Sequence, residues 1–481
     1  MVDPVCGDCH HLTPGNGICY IGACVSLGLI GPETAWQLVS WRLVSLYPGA
    51  SLGIGRPITH ARKIIMIRSS MRKLLGSAVL LAAGFSGSLY AEQAAHTFTQ
   101  PRLDAFAAAM AQEVEQGRIG GIATLVYQNG EVVQRAEYGY ADREQQRPLE
   151  PDSLYKIFSL TKLVTGTALL TLFDEGRFEL DEPVGKYIPE LQNLQVAVAD
   201  GPEGMPKTEP AAHPVTIREL MTHTGGFTYG RFGDTQVDQL YVQADIQNRD
   251  STFVDMMAKL EHIPLLHQPG TVWHYSISVD IQAALIEVLS GKSFDVFLQE
   301  RIFDPLQMSD TDFYAPEDKA ERLALSYQPQ PDGSLKALPN TPFLSKPRFL
   351  NGGGGLISSV DDYLRFARML LGGGELEGTR ILKADTVELM RRNQLPQGVE
   401  NIGPFFPGNQ FGLNVAVVND SPAAGYLPQG TYWWWGIQGA WCWIDPSNDA
   451  IIIGMMQNTD YRLSRMIHGK ASRALYGPAQ P

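Results

Sequence analysis

The stretch "SLYKIFSLTKLVTGTALLTLF", residues 153–173, contains the spacing Ser-x-x-Lys twice and ends in a long apolar run. The second copy, Ser159 to Lys162, opens that run, whose length and composition predict a helix. We therefore expect Ser159 at a helix N-terminus, where unpaired N–H groups and the helix dipole favour developing negative charge. Lys162 follows three residues later and returns to the same helix face. Because desolvation disfavours a charged lysine, Lys162 is positioned to take a proton from Ser159.

Ser-x-x-Lys is a weak motif alone, and the chain contains three copies of it. Ser70 to Lys73 overlaps a segment with the pattern of a signal peptide, and Ser153 to Lys156 has no helix of its own. For the tetrapeptide alone, the structural alternative is a serine N-cap followed by a surface lysine. The surrounding sequence has to decide between these interpretations.

Strand patterns occur at both ends of the chain beyond residue 91. Near its start, the apolar-rich runs "GIATLVYQ" and "EVVQRAEYGYA" flank Asn129-Gly130, which predicts a hairpin. Further strand patterns begin at about residue 410, and a helix at about 460–475 closes the chain. The middle of the chain carries helix-like runs at 161–173, 216–222, 252–260 and 279–290.

This order predicts an α+β fold, in which an antiparallel sheet flanked by helices is built from both chain ends and an all-helical domain is inserted. We expect the domain to span residues 92–481, with an α/β part at about 92–160 and 330–481 and a helical part at about 161–329. Within the second α/β segment, Ser359 precedes Asp362 by three residues, which predicts an N-terminal capping box for another helix.

Ser159 belongs to an ordered set of further motifs. In chain order they read "SLYKIFSLTK", "GRFELDEPVGKYIPEL", "TIRELMTHTGGF", "PGTVWHYSISVDIQAALIEVLSGKSFDVFLQERIFDPLQMSDTDF" and "NGGGGLISSVDDYLRFARMLL". The set closely resembles the serine β-lactamase-like superfamily, in particular class C β-lactamases and family VIII carboxylesterases. The resemblance covers nearly all of the chain beyond residue 91. It implies the same two-part fold, with the active site between the sheet and the helices.

The resemblance also implies roles for individual residues. Ser159 matches the nucleophile of the family and Lys162 its lysine partner. The Tyr-x-Asn motif reads Tyr275-Ser276-Ile277 here, so Tyr275 matches the tyrosine that moves the proton between the serine and the leaving group. Nearby cations help a phenol to act as a base, and Lys162 supplies one. The alternative for Tyr275 is an aromatic core residue.

The third motif of the family is a Lys-Thr-Gly strand, which corresponds here to Trp434-Trp435-Gly436. Family VIII esterases often carry Trp-x-Gly at this place, so the resemblance implies that Trp434 lines the acyl or alcohol pocket. The backbone N–H groups of Ser159 and Ile437 would form the oxyanion hole. Three consecutive tryptophans leave the register open by one residue, and a purely structural tryptophan cluster is the alternative.

Two departures from the family narrow the expected substrate. Ile277 stands where β-lactamases and peptidases carry an amide, and Trp434 stands where they carry a cation. A pocket lined by these residues should prefer a neutral, apolar ester. The sequence therefore predicts a serine hydrolase that acts on small neutral carboxylic esters. A weak β-lactamase, a D-amino-acid peptidase and a covalent sensor without turnover are the alternatives. We interpret His223 as structural, because no Gly-x-Ser-x-Gly elbow surrounds Ser159.

The first 91 residues carry two competing signals. Residues 71–91, "MRKLLGSAVLLAAGFSGSLYA", have the order of a secretory signal peptide. This pattern predicts translation from Met71, an over-extended segment 1–70, and a periplasmic or secreted protein without a stable membrane span. A genuine extension with a membrane-anchored start is the alternative. If translation begins at Met71, the haem-attachment spacing Cys6-x-x-Cys9-His10 is a decoy. A zinc site built from the four N-terminal cysteines is less favoured than either interpretation of this segment.

The net charge limits the kinds of partner. A formal charge of −13 argues against sequence-independent nucleic-acid binding, which needs a basic surface. We expect no cofactor and no metal, and a small-molecule ester or amide as the substrate.

Overall fold

The computed structural model describes residues 98–478 of the chain. The sequence-based predictions for the signal peptide, the N-terminal cysteines and Ser70 to Lys73 lie outside these residues. Between residues 98 and 478, no helix is long and apolar enough to cross a membrane.

Runs of strands and runs of helices follow one another along residues 98–478. The helices are α1 (Gln100–Glu115), α2 (Thr161–Asp174), α3 (Ile217–Met221), α4 (Gln236–Gln243), α5 (Phe253–Leu260), α6 (Ser278–Ser290), α7 (Phe294–Leu298), α8 (Asp304–Leu306), α9 (Val360–Leu371), α10 (Ala384–Met390) and α11 (Tyr461–Tyr476). The strands are β1 (Gly121–Gln128), β2 (Glu131–Asp142), β3 (Arg147–Pro148), β4 (Tyr155–Lys156), β5 (Gln195–Ala199), β6 (Lys207–Pro210), β7 (Ser326–Pro329), β8 (Leu335–Leu338), β9 (Ile357–Ser358), β10 (Glu375–Leu376), β11 (Thr379–Arg380), β12 (Asn409–Phe411), β13 (Ala416–Val418), β14 (Tyr432–Trp435), β15 (Trp441–Asp445) and β16 (Ala450–Met456).

Both ends of the described chain contribute to one antiparallel sheet. Its strand order is β12-β13-β14-β15-β16-β1-β2-β3, eight strands within residues 98–478. The pairing of β1 with β16, from Ile122 opposite Met456 to Gln128 opposite Ala450, joins the two ends. The predicted α+β fold is therefore confirmed. Asn129 and Gly130 both have positive φ, 52° and 89°, as the turn of the predicted hairpin requires.

Helices cover both faces of the central strands. Every residue of β16 is buried, which requires packing on each face of the sheet. The helices α1 and α11 pack together, and α9 packs on β15 and β16. The predicted capping box of α9 is half formed. Ser359 Oγ accepts a hydrogen bond from the N–H of Asp362, whereas the Asp362 carboxylate turns to the N–H of Asp310 and the hydroxyl of Thr311.

The middle of the chain is mainly helical. The helices α2, α3, α5 and α6 lie where the sequence patterns predicted helices. This region also contains a two-stranded ribbon of β5 and β6, which the sequence analysis did not predict. The strand β4, paired with β9, leads directly from the sheet region into α2 and so places the Ser159 segment between the two parts. The boundaries proposed for the two parts stay predictions.

Candidate active site

Ser159 lies in a short turn of 3-10 helix, Phe158–Leu160, that runs directly into α2. The preceding residue, Phe158, has a positive φ of 43°, which is uncommon for a residue with a bulky side chain. Such backbone strain persists only where the surrounding structure enforces it, and it clusters at functional sites. Ser159 is partly exposed, so its hydroxyl is accessible, whereas the neighbouring Leu160 is fully buried.

Three of the predicted site residues meet at the Ser159 hydroxyl. Tyr275, three residues before α6, donates a hydrogen bond from its Oη to Ser159 Oγ at 2.7 Å. Lys162 Nζ lies 3.4 Å from the same oxygen. Either group is within reach of the serine proton, as a general base must be.

Lys162 is held in a buried position by neutral oxygen atoms. Its side chain is 1% exposed, although it lies in the first turn of α2. Its Nζ donates to the carbonyl oxygen of Gly353 at 2.5 Å and to Tyr229 Oη at 2.8 Å. Within residues 98–478 no carboxylate forms an ion pair with Lys162. Lys162 is therefore not the surface lysine that the structural alternative for this motif requires.

Two residues near Lys162 were missed by the sequence analysis. Tyr229 lies close to Tyr275, with 5.3 Å between ring centroids, and burial together with Tyr275 and Asp280 raises its pKa well above the usual range. Asp280 is fully buried on α6 and accepts hydrogen bonds from Gly353 N and Gln247 Nε2. Burial raises the pKa of Asp280, while the charge of Lys162 opposes the rise. Neither residue lies in the Ser-x-x-Lys or Tyr-x-Asn segment, so no local spacing signalled them.

Gly353 is the point at which these groups converge. A Cβ atom on Gly353 would lie 3.0 Å from Tyr229 Oη, 3.1 Å from Lys162 Nζ and 3.2 Å from Asp280 Oδ2. All three distances are shorter than comfortable carbon–oxygen or carbon–nitrogen contacts. The glycine-rich stretch "NGGGG" therefore lets the backbone approach the lysine closely enough to accept its hydrogen bond.

Trp434 contacts the other side of Tyr275. Its Nε1 lies 3.3 Å from Tyr275 Oη, and the two rings are 5.5 Å apart. Phe406 stacks on Trp434 at 5.1 Å, and Phe411 packs against it edge to face. Trp434 is 1% exposed, so the Tyr275 hydroxyl is bounded by aromatic rings. That Trp434 lines the acyl or alcohol pocket stays a prediction, and its side chain is also part of the core.

The strand that carries Trp434 ends beside Ser159. Gly436 follows β14, and a Cβ there would lie 2.4 Å from the carbonyl oxygen of Ile157. The backbone after β14 thus packs on the backbone just before the nucleophile. Ile437 is exposed, and no acceptor for its N–H is present between residues 98 and 478. A free N–H at this position is what an oxyanion donor requires.

The remaining predicted pocket residues differ in exposure. Trp435 is partly exposed, whereas Ile277 is fully buried in the hydrophobic core just before α6. The Ile277 side chain packs in the core at the start of α6. Direct contact of Ile277 with substrate stays a prediction.

The copy of the motif at Ser153 has separate partners for its two residues. Ser153 is buried and accepts a hydrogen bond from the N–H of Glu150. Lys156 Nζ donates to the carbonyl oxygen of Ala324 and to Asn340 Oδ1. Burial lowers the pKa of Lys156 to about 7. Because both residues lie outside a helix, the three-residue spacing does not bring them together.

His223 supports the segment that carries Tyr275. Its ring lies 4.9 Å from the Tyr275 ring, and its Nδ1 accepts a hydrogen bond from the N–H of Ser276. Burial lowers the pKa of His223 well below its usual value, and the positive charge of Lys162 acts in the same direction. Among residues 98–478 there is no hydrogen bond between His223 and Ser159. In the same part of the chain, no group of three or more His, Cys, Asp or Glu is arranged to hold a metal ion.

The structure thus combines an α+β fold with a serine whose hydroxyl lies beside a lysine and a tyrosine. Comparison with known proteins gives the family. The model of the Beta-lactamase family matches residues 106–477. The chain belongs to the beta-lactamase family, as the motifs predicted.

Relatives and solved structures agree with this assignment. Esterase EstB of Burkholderia gladioli is 31% identical over 375 residues, which cover 73% of this chain and 88% of that protein. Protein Rv1367c of Mycobacterium tuberculosis is 34% identical over 392 residues, or 79% of this chain and 96% of that protein. The structure of simvastatin synthase LovD from Aspergillus terreus, at 22% identity, has a TM-score of 0.69 and covers 79% of this chain and 100% of the other. EstCE1, a hydrolase with promiscuous acyltransferase activity, shares the fold at 23% identity and a TM-score of 0.68, over 79% of this chain and 99% of the other. The solved structures show the fold, and the similarity to esterase EstB within this family supports an ester hydrolase at the level of the family.

Proposed function

We propose that the protein cleaves small neutral carboxylic esters through an acyl-enzyme on Ser159. The observation that carries the proposal is the 2.7 Å hydrogen bond between Tyr275 Oη and Ser159 Oγ, beside the buried amine of Lys162. A serine hydroxyl is a weak nucleophile until a neighbouring base takes its proton. Here two such groups reach the same oxygen.

In the proposed reaction Ser159 Oγ attacks the ester carbonyl while its proton passes to the Tyr275 and Lys162 pair. The carbonyl oxygen becomes an oxyanion, and the N–H groups of Ser159 and Ile437 stabilise it. Collapse of this intermediate breaks the bond to the alcohol oxygen, and Tyr275 returns the proton to that leaving group. Water then attacks the acyl-enzyme and gives up a proton to the same pair, which forms a second oxyanion. Its collapse breaks the bond between the acyl carbon and Ser159 Oγ, the pair returns the proton to Ser159 Oγ, and the carboxylic acid leaves.

The substrate class follows from the groups that surround Tyr275. The rings of Trp434, Trp273 and Phe232 lie against Tyr275, and Phe406 and Phe411 pack behind Trp434. By the family motif, Trp434 stands where β-lactamases carry a cation. A neutral ester loses little solvation energy on entering such a site, whereas an anionic substrate would lose its hydration without gaining a partner. The names of two relatives, esterase EstB and the lovastatin esterase of Penicillium rubens, support an ester as the substrate.

Kinetics with two substrates test the proposal. We expect kcat/KM for p-nitrophenyl butyrate to exceed that for the β-lactam nitrocefin by a wide margin, and Ser159→Ala to abolish both activities. Ser153→Ala is the matched control, because that serine is buried and bonded to Glu150. Preferred hydrolysis of nitrocefin would favour the lactamase alternative. An acyl-enzyme that forms without turning over would favour the covalent sensor.

Export of the protein belongs to the same proposal. A signal peptide at residues 71–91 would deliver the enzyme to the periplasm or the medium. N-terminal sequencing of exported protein should begin near Glu92. Recovery of exported protein that contains Cys6 and bound haem would contradict this part.

A further inference from the structure

A cavity lies next to the aromatic side chains that pack on Trp434 at the candidate active site. Its volume is about 400 Å³, and it is bounded by α11, by the segment 405–427 and by Trp433 of β14. Ser159, Lys162 and Tyr275 do not line it. Phe406 stands between the two sites, because it lines this cavity and also stacks on Trp434.

One face of α11 brings three arginines to this cavity. Arg462, Arg465 and Arg473 all line it, at spacings of three and eight residues that return to neighbouring positions on a helix. Within residues 98–478 none of the three forms an ion pair. Arg462 donates a hydrogen bond to Tyr461 Oη, and none of the three guanidinium groups has a carboxylate partner among the described residues, although the chain has a net charge of −13. No acidic residue of the described chain lines the cavity.

The rest of the lining is largely apolar. Phe405, 57% exposed, and Met466, 40% exposed, lie at the rim, and Leu427 and Trp433 lie deeper. The Arg465 guanidinium stands over the Phe405 ring at 5.7 Å. An apolar cavity with a few charged groups at one side is the usual form of a small-molecule site.

Gly469 keeps the helix side of the cavity open. It lies within α11, where glycine is unfavourable compared with alanine. A Cβ on Gly469 would meet nothing closer than the Arg473 guanidinium, at 3.6 Å. The glycine is thus not required for close packing, and its effect is to leave space beside the arginines.

We propose that this cavity binds a small carboxylate that carries an apolar chain. The arginines pair with the carboxylate, for which guanidinium offers bidentate hydrogen bonds. The chain lies against Phe405, Leu427 and Trp433. This site is independent of the chemistry proposed for Ser159.

Calorimetric titration of the full chain with octanoate tests the proposal, with octan-1-ol as the uncharged comparison. We expect saturable binding of octanoate and much weaker binding of the alcohol. The double variant Arg465→Gln with Arg473→Gln should bind octanoate about tenfold more weakly or worse. Arg147→Gln with Arg348→Gln removes the same charge away from the cavity and should leave the affinity unchanged.

A second pair of variants separates loss of the site from loss of the fold. Gly469→Leu fills the cavity from a helix position where leucine is favoured over glycine, so the protein should fold and lose octanoate binding. Gly469→Ala should fold equally well and retain binding. The proposal fails if octanoate does not bind, if octan-1-ol binds as tightly, or if both arginine pairs behave alike. Equal binding by the two Gly469 variants would also overturn it. If octanoate instead binds at the Ser159 site, both arginine pairs will behave alike and both Gly469 variants will bind octanoate equally.

Discussion

Tyr275 Oη and Ser159 Oγ lie 2.7 Å apart, although 116 residues separate them in the sequence. The contact forms because β4 delivers Ser159 to the start of α2, while the segment before α6 places Tyr275 opposite it. It gives the serine hydroxyl a partner that can exchange a proton with it. The reaction proposed for the protein depends on this pair.

The first prediction concerns the Tyr275 hydroxyl. Tyr275→Phe keeps the ring and removes the oxygen, so kcat for p-nitrophenyl butyrate should fall by about 10²- to 10⁴-fold with little change in KM. Tyr229→Phe is the comparison, because Tyr229 contacts Lys162 and not Ser159, and its loss of kcat should be smaller. Steady-state kinetics of both variants provide the measurement. A larger loss of kcat in Tyr229→Phe than in Tyr275→Phe would contradict the assignment of the proton transfer to Tyr275.

Much of this site could be predicted from the sequence, because its signals are local. Ser159 and Lys162 are one helical turn apart, and the apolar run after them separates their motif from the other two copies. The hairpin at Asn129-Gly130 and the fully buried strands at the other end indicated a sheet built from both chain ends.

The rest depends on contacts between distant segments. Tyr229 reaches Lys162, and Asp280 binds the neighbouring N–H of Gly353, only through folding of distant segments, and no spacing in the sequence encodes that meeting. Ile277 occupies the motif position of a substrate contact, yet its side chain is drawn fully into the core. The Asp362 carboxylate leaves the expected capping box for donors in another loop.

Gly353 gives the second prediction. Gly353→Ala places a methyl group 3.1 Å from Lys162 Nζ and 3.0 Å from Tyr229 Oη, so these groups must give way by a few tenths of an ångström. We expect kcat/KM for p-nitrophenyl butyrate to fall measurably, but by less than the roughly 100-fold that a displacement of about 1 Å can cost. Gly354→Ala is the matched control, since its Cβ would meet nothing closer than 3.4 Å and activity should be kept. Equal activity of both folded variants would contradict the account of Lys162.

The third prediction concerns the indole N–H of Trp434. Trp434→Phe keeps an aromatic ring against Phe406 but removes the donor 3.3 Å from Tyr275 Oη. The loss of one such bond should lower kcat by about 5- to 30-fold. Trp433→Phe loses a hydrogen bond to Asn409 instead, so it should lower the melting temperature without this loss of kcat. If the two variants have the same kcat, Trp434 does not act on Tyr275.

Lys156 provides a prediction about stability. Burial lowers the pKa of Lys156 to about 7 from a usual value of 10.5, and its hydrogen-bond partners, Ala324 and Asn340, are neutral. Between these two values the unfolded chain binds more protons than the folded protein, so the contribution of Lys156 to stability rises with pH. The Lys156→Met variant lacks this dependence.

Urea unfolding at pH 7 and pH 9 measures the effect. The free energy of unfolding of the wild-type protein should gain about 2 kcal/mol relative to Lys156→Met between the two values. A difference between the two proteins that does not change with pH would show that Lys156 is charged in the folded state.

The most direct test of the central claim is to find which serine reacts. The full chain is treated with a fluorophosphonate, digested, and analysed by mass spectrometry. We predict one phosphonyl group per molecule on Ser159, no modification of Ser153, and no labelling of the Ser159→Ala variant. Stoichiometric labelling of another serine, or an unmodified Ser159 in a protein that hydrolyses esters, would contradict the account.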